Sequence, residues 1–136
     1  MNGSPMLALR RAIRARLVAD ASLLSALGGA KIYDEAPRGA ETPYLLLAES
    51  SLRDWSTSGS KGAEQLITLS VISTQRGAAE AIDIGETIIA LLDDAPLALD
   101  GHHLVSISHQ TSETRREHNG RFARLDLRFR ATTEAL

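Results

Sequence analysis

Between residues 123 and 131 the side chains alternate without a break: Ala123, Leu125, Leu127, Phe129 and Ala131 fall on one side, Arg124, Asp126, Arg128 and Arg130 on the other. A period of two is the signature of a β-strand. One apolar and one charged face mean a sheet with a dry side and a wet side. The dry side needs a cover, and in a chain of 136 residues that cover comes from the same domain.

The remaining elements follow from spacing. Gln65 to Thr74 also alternates, with Ile67, Leu69 and Val71 against Thr68 and Ser70. Tyr44 to Ala48 is a continuous apolar run, as expected of a strand buried on both faces in the middle of a sheet. Lys31 to Tyr33 is a short extended piece, followed by turn residues Pro37, Gly39 and Pro43. Leu97 to Leu99, Asp100-Gly101 and His102 read as a hairpin around a tight primed turn. The strand after it runs through Val105 and Ile107 toward Thr114, and Glu117 to Gly120 is a turn.

Ser4-Pro5 is an N-cap followed by proline at the first helical position. Met6, Leu9, Ile13 and Leu17 then form one helical stripe. Asp20 caps a second short helical segment that Gly28-Gly29 ends after Leu27. Ala78 to Leu92 is a helix with Ile82, Ile88, Ile89 and Leu92 on its apolar face and Glu80, Asp83 and Glu86 mostly in solvent. Gly85 inside it costs about 1 kcal/mol relative to alanine, which close packing on a sheet explains. The expected fold is α+β: an antiparallel or mixed β-sheet with two α-helices packed on one face. Residues 1–136 form a single domain in this reading. Ser51 to Gly62, rich in polar residues and glycine, is a long loop between strands 2 and 3.

Several function classes drop out. Cysteine is absent, which excludes disulfides and thiolate chemistry and leaves zinc only His and carboxylate ligands. A net charge of −2 provides no global basic field for nucleic acid. Arg10, Arg11, Arg14 and Arg16 break up the apolar residues of the N-terminus, so no signal-peptide core is present. No apolar run approaches the ~20 residues of a membrane span. Synthesis and residence in the cytoplasm are expected, with no membrane partner. There is no phosphate-binding glycine loop, nucleophile elbow or H-E-x-x-H. His102, His103, His109 and His118 read as turn or surface residues; His103 and His109 lie ~20 Å apart along a strand. Asp93 and Asp94 end a helix that is already negative there, so a solvated end is favoured over a cation site. No catalytic, cofactor-binding or metal residue is expected, and no enzyme activity.

Three features remain as binding candidates. Arg10, Arg11 and Arg14 line one helix, where a solvated polar face is favoured over a contact with phosphate or an acidic partner. Arg124, Arg128 and Arg130 suit an ordinary wet sheet face, and also a subunit contact or the lining of a wet channel. The third is the loop around Trp55, the only tryptophan. Trp and Arg are enriched where interfaces carry their binding energy; the alternative is that Trp55 plugs its own core edge.

In this order and spacing, the chain resembles the tail-completion, or tail-terminator, proteins of long-tailed phages and gene transfer agents. The stretches that carry the likeness are Leu7-x-Leu9 with Ile13, Ile32-Tyr33-Asp34 with Pro37, and Thr42-Pro43-Tyr44-Leu45. They continue through Asp54-Trp55-Ser56-Thr57, Gly62 to Val71, Ala78 to Leu92, and Arg124 to Phe129. The chain departs from the family pattern at Val71-Ile72-Ser73, where a tryptophan is usual. The resemblance implies a homo-oligomeric, hexameric ring at the head-proximal end of the tail, terminating the tube and joining it to the head. Its partners would be the major tail tube protein and a head-completion (stopper) or connector protein, with DNA crossing the lumen without specific binding. Arg53, Asp54, Trp55, Ser56 and Lys61 would supply tube or subunit contacts. Rival readings are another neck ring protein such as the stopper, a small-ligand-binding or hydrolytic domain using His102, His103 or Glu113, and a stand-alone dimeric interaction module.

Overall fold

The structure, a computed structural model, describes residues 3–74, 78–117 and 121–136. Three helices and five strands follow in the order α1 (Pro5–Val18), α2 (Ala21–Leu27), β1 (Ile32–Tyr33), β2 (Tyr44–Asp54), β3 (Gly62–Ser73), α3 (Ala79–Leu92), β4 (His102–Glu117) and β5 (Phe122–Ala135). The expected α+β class holds, with α2 as a third helix beside the two counted from the sequence. The helix starts are where the caps put them. Ser4 Oγ accepts from the Met6 and Leu7 amides at 3.2 and 3.4 Å, and Asp20 Oδ2 accepts from the Leu23 amide at 2.9 Å. Gly28 leaves α2 at φ 80°.

The sheet is mixed, in the order β1-β2-β3-β5-β4. Only β1 runs parallel to its neighbour. The helices cover one face, where Ile13, Leu17, Leu23, Ile84 and Ile88 meet Leu47, Ile67, Leu69, Leu127 and Phe129. The other face is uncovered by any described helix. The alternation of residues 123–131 is realised as read: Leu125, Leu127, Phe129 and Ala131 are at most 3% exposed.

Four expectations need correction. Tyr44–Ala48 is not buried on both faces; Leu45 and Leu47 are buried while Tyr44, Leu46 and Ala48 are half-buried. The strand shielded on both sides is β3, whose residues 67–73 are all buried, because it is central and long side chains from β5 lie across its outer face. The stretch 51–62 is not one long loop. Ser51–Asp54 pairs with Ala63–Leu66, so the polar residues there are strand residues, Ser51 and Arg53 on the uncovered face and Asp54 on the other, and only 55–61 connect. In α3 the buried residues are Ala81, Ile84, Gly85, Ile88 and Leu92; Ile82 is 42% exposed. Asp100-Gly101 does turn the chain, closed by a bridge between Leu99 and His102, but only Gly101 of the pair has positive φ, 77°, whereas a primed turn needs it at the first position.

The glycine inside α3 is explained by contact: a Cβ on Gly85 would overlap the Leu125 Cδ2 methyl. Arg10 is not a solvated residue; its guanidinium is largely buried and taken up by acceptors within the chain. β1 covers β2 only at Leu45 and Leu46. Just beyond, the Arg10 guanidinium donates to Leu47 O, to Ala48 O at 3.0 Å, to Ser50 Oγ at 2.8 Å and to Asp34 at 2.8 Å. It thus blocks a sheet edge that would otherwise present free carbonyls. Arg11 and Arg14 are exposed.

Candidate interaction surfaces

The β2–β3 connection is shaped by Asp54. Its Oδ1 accepts from the Ser56 amide at 3.2 Å and the Ser56 hydroxyl at 2.5 Å, a local turn of the type short polar side chains favour. Ser56 Oγ in turn accepts from the Gly62 amide at 3.1 Å. The Trp55 amide donates to Gly62 O at 2.9 Å. The two bonds from Ser56, the hydroxyl first, hold Asp54 below its ordinary pKa, with Lys61 adding a favourable charge.

The five residues expected to act together divide between two faces. Asp54, Ser56 and Lys61 line an open cleft of about 460 Å³ floored by Pro5, Leu52 and Ala63. Arg53 lies on the uncovered face and pairs with Glu64. Trp55 is 39% exposed, and its ring rests over Gly62, where a Cβ would come within 3.1 Å of it. The alternation of β2 forces this split, since Arg53 and Asp54 are neighbours on one strand.

Arg124, Arg128 and Arg130 do share the uncovered face, opposite Ile72, Thr68 and Leu66 of β3. Two of them are internally neutralised. Glu64 is held by Arg130 Nε at 2.6 Å and by Arg53. Asp126 is held by Arg124 Nε and Arg115, both at 2.8 Å, and accepts from Ser70 Oγ at 2.6 Å. Each of the two acidic residues is only 9% exposed. For Glu64 the Arg130 bond outweighs desolvation and lowers the pKa. For Asp126 burial alone would raise it, but Arg124, Ser70 and Arg115 together reverse the sign and leave it lowered. Arg128 is different: it is exposed and makes no ion pair among the described residues.

Glu64, Arg115 and Ser70 were not singled out from the sequence. Asp126 already stood among arginines in its own strand. Glu64 meets Arg130 only because β3 and β5 pair in one register.

The residues of a hydrolytic reading do not converge. His102 is 8% exposed and hydrogen-bonds Gly3 O at 3.3 Å, so it is buried and not a surface histidine. His103 is exposed and by alternation points to the other face. Glu113 is ~33 Å further along β4. His109 packs edge-on against Phe129, ring centroids 5.6 Å apart, and is only half exposed. His118 lies outside the described residues. The end of α3 is not simply solvated: Asp93 Oδ1 accepts from the His109 amide at 3.0 Å, and the Asp94 amide donates to Ile107 O at 2.9 Å. Among the described residues, no group of three or more His, Asp or Glu could hold a metal ion, and no helix is long and apolar enough to cross a membrane.

Comparison with known proteins places this geometry. The family model described as tail completion protein gp17 matches residues 11–134. A chain in the solved virion of a native gene transfer agent particle is 30% identical, with TM-score 0.90, covering 98% of this chain and 99% of that one. A second solved structure, 12% identical with TM-score 0.59 over 98% and 97% of the two chains, shares the fold. No curated protein matches significantly.

Proposed function

Because the chain belongs to the tail completion protein family, we propose that it builds a hexameric ring that terminates the tail tube and joins it to the head. The whole of residues 1–136 acts as one ring-building domain. The role is mechanical, with no catalysis and no cofactor. The carrying observation is the likeness to a chain of a gene transfer agent virion over 98% of this chain and 99% of that one.

Termination needs two unlike surfaces. One must accept the last tube ring, and the other must refuse further tube protein, so that specificity is a difference of affinities. The chain offers surfaces of unlike chemistry. The β2–β3 end combines a half-exposed Trp55 with the polar cleft of Asp54, Ser56 and Lys61; this end meets the major tail tube protein. The uncovered sheet face carries Arg124, Arg128 and Arg130 and serves a subunit contact or the lumen. Its paired arginines suit DNA transit, because tight phosphate binding would arrest the DNA. A stopper or connector protein docks on the ring from the head side. The protein assembles in the cytoplasm and ends at the tail-neck junction of the particle.

Purified protein mixed with tail tubes, followed by mass measurement and electron microscopy, tests this. Rings at one end of headless tails are expected. Trp55→Ala should fold normally yet leave tubes over-long or unjoined to heads. Normal tail length and joining with this variant remove the Trp55 end from the mechanism. Finding the protein on heads and never on headless tails refutes the terminator role.

A further inference from the structure

We propose that the ring contact is head-to-tail between the uncovered sheet face of one copy, centred on Leu66 and Arg128, and the α3–β4 flank of the next, centred on Ile82 and Glu86. This deepens the ring reading and rests on it.

Among the described residues, five large apolar side chains are exposed on regular elements: Leu7, Leu52, Leu66, Ile82 and Val105. Of these, Leu66 and Ile82 lie on different layers of the fold, each beside a charge with no ion pair among the described residues. Leu66, in the middle of β3, is 40% exposed, and Ile82, in α3, is 42% exposed. Each borders a hollow. Leu66 and Arg128 rim one of about 150 Å³ with Ser51 and Thr68. Ile82, Glu86 and Ile89 face Ser112 and Thr114 across a groove of about 220 Å³ floored by Leu125 and Leu127.

The charges beside these anchors are opposite and unused. Arg128 makes no ion pair among the described residues, and neither do Asp83 and Glu86. Glu64 and Asp126 are each bound by two arginines, so the positive charge left beside Leu66 is that of Arg128. Glu49 at the rim of the Leu66 hollow, Glu113 on β4 and Glu134 on β5 balance the charge of the face as a whole. Glu86 lies one helical turn beyond Ile82, so an apolar knob with an acid beside it faces an apolar hollow with a base beside it.

The occupant is a second copy because the two patches complement each other and neither complements itself. A patch and its complement at different places on one molecule make a heterologous contact, which propagates around a ring. A self-paired sheet face would set Arg128 against arginines. DNA is a poorer fit, since Leu66 would lose water without gaining an apolar partner and most of the arginines are already bound.

The absence of cysteine allows a clean test. The double variant Leu66→Cys, Ile82→Cys is oxidised at rising concentration, alone and with open-ended tail tubes, with circular dichroism to verify folding. A ladder of cross-linked species from the double variant, with neither single variant forming one, is expected. In parallel, Arg128→Glu and Glu86→Arg should each weaken assembly roughly tenfold or more, and the two together should restore it. Ladders from a single variant mean an isologous contact and overturn the proposal. Rings that form without cross-linking and without charge-swap rescue place the contact elsewhere and leave the ring reading standing. A chain that stays monomeric even on tubes defeats both. Loss of nucleic-acid binding in Arg128→Glu with ring formation intact assigns the face to DNA and also overturns the proposal.

Discussion

Arg10 is the side chain whose removal should be felt most out of proportion to its sequence context. Substituting methionine keeps much of the aliphatic stem and deletes the guanidinium. The lost partners are Leu47 O, Ala48 O, Ser50 Oγ and Asp34. A hydrogen bond to a charged group contributes about 1.5–3 kcal/mol. The Asp34 pair adds at most about 1 kcal/mol, since that carboxylate is 69% exposed. The other three share one guanidinium, and the freed carbonyls at the sheet edge regain some water, which brings the net loss to about 3 kcal/mol. With a urea slope of about 2 kcal/mol/M for a chain of this size, the unfolding midpoint should fall by about 1.5 M. Arg14→Met is the control: that residue is exposed one turn along, and its change should stay within about 0.5 kcal/mol. In 1 M salt most of the Arg10→Met difference should persist, because screening weakens the Asp34 pair but not the bonds to carbonyls. Equal midpoints for Arg10→Met and Arg14→Met would show that the edge-blocking role is wrong.

Gly62→Ala should destabilise the chain by about 2 kcal/mol, since the new Cβ would lie 2.8 Å from Trp55 O and 3.3 Å from Thr133 O, both backbone atoms that cannot rotate aside. Trp55 is the only tryptophan, so a red shift of its emission reports the displacement; unchanged emission and melting temperature contradict the close approach. Glu64 and Asp126 titrate below their ordinary values in the folded chain. Their contribution to stability is therefore complete above about pH 5, beyond the unfolded carboxylate range, and is lost as pH falls through the lower folded values. Urea unfolding followed downward from pH 6 should show this loss, and Asp126→Asn should make the acid limb shallower. An unaltered acid limb in that variant places the sensitivity elsewhere.

Patterns confined to one element were legible without the fold. The period-two run of residues 123–131, the Ser4 and Asp20 caps and the Gly28 exit come from local backbone and side-chain geometry, which needs no distant partner. The family likeness was legible for a related reason, as short motifs in a fixed order. What depended on distant partners was not. Neither Arg10 at the sheet edge nor Glu64 under Arg130 can be read from neighbours in sequence, because their partners lie 24 to 40 and 66 residues away. The length of β2 was misread because polar residues at 51–54 look like a loop when their pairing with Ala63–Leu66 is unknown. Hydrophobic periodicity records which residues avoid water within an element. Only strand register and layer packing decide which charges meet across elements, and on this chain they bind Glu64 and Asp126 to arginines and leave Arg128 without an ion pair among the described residues.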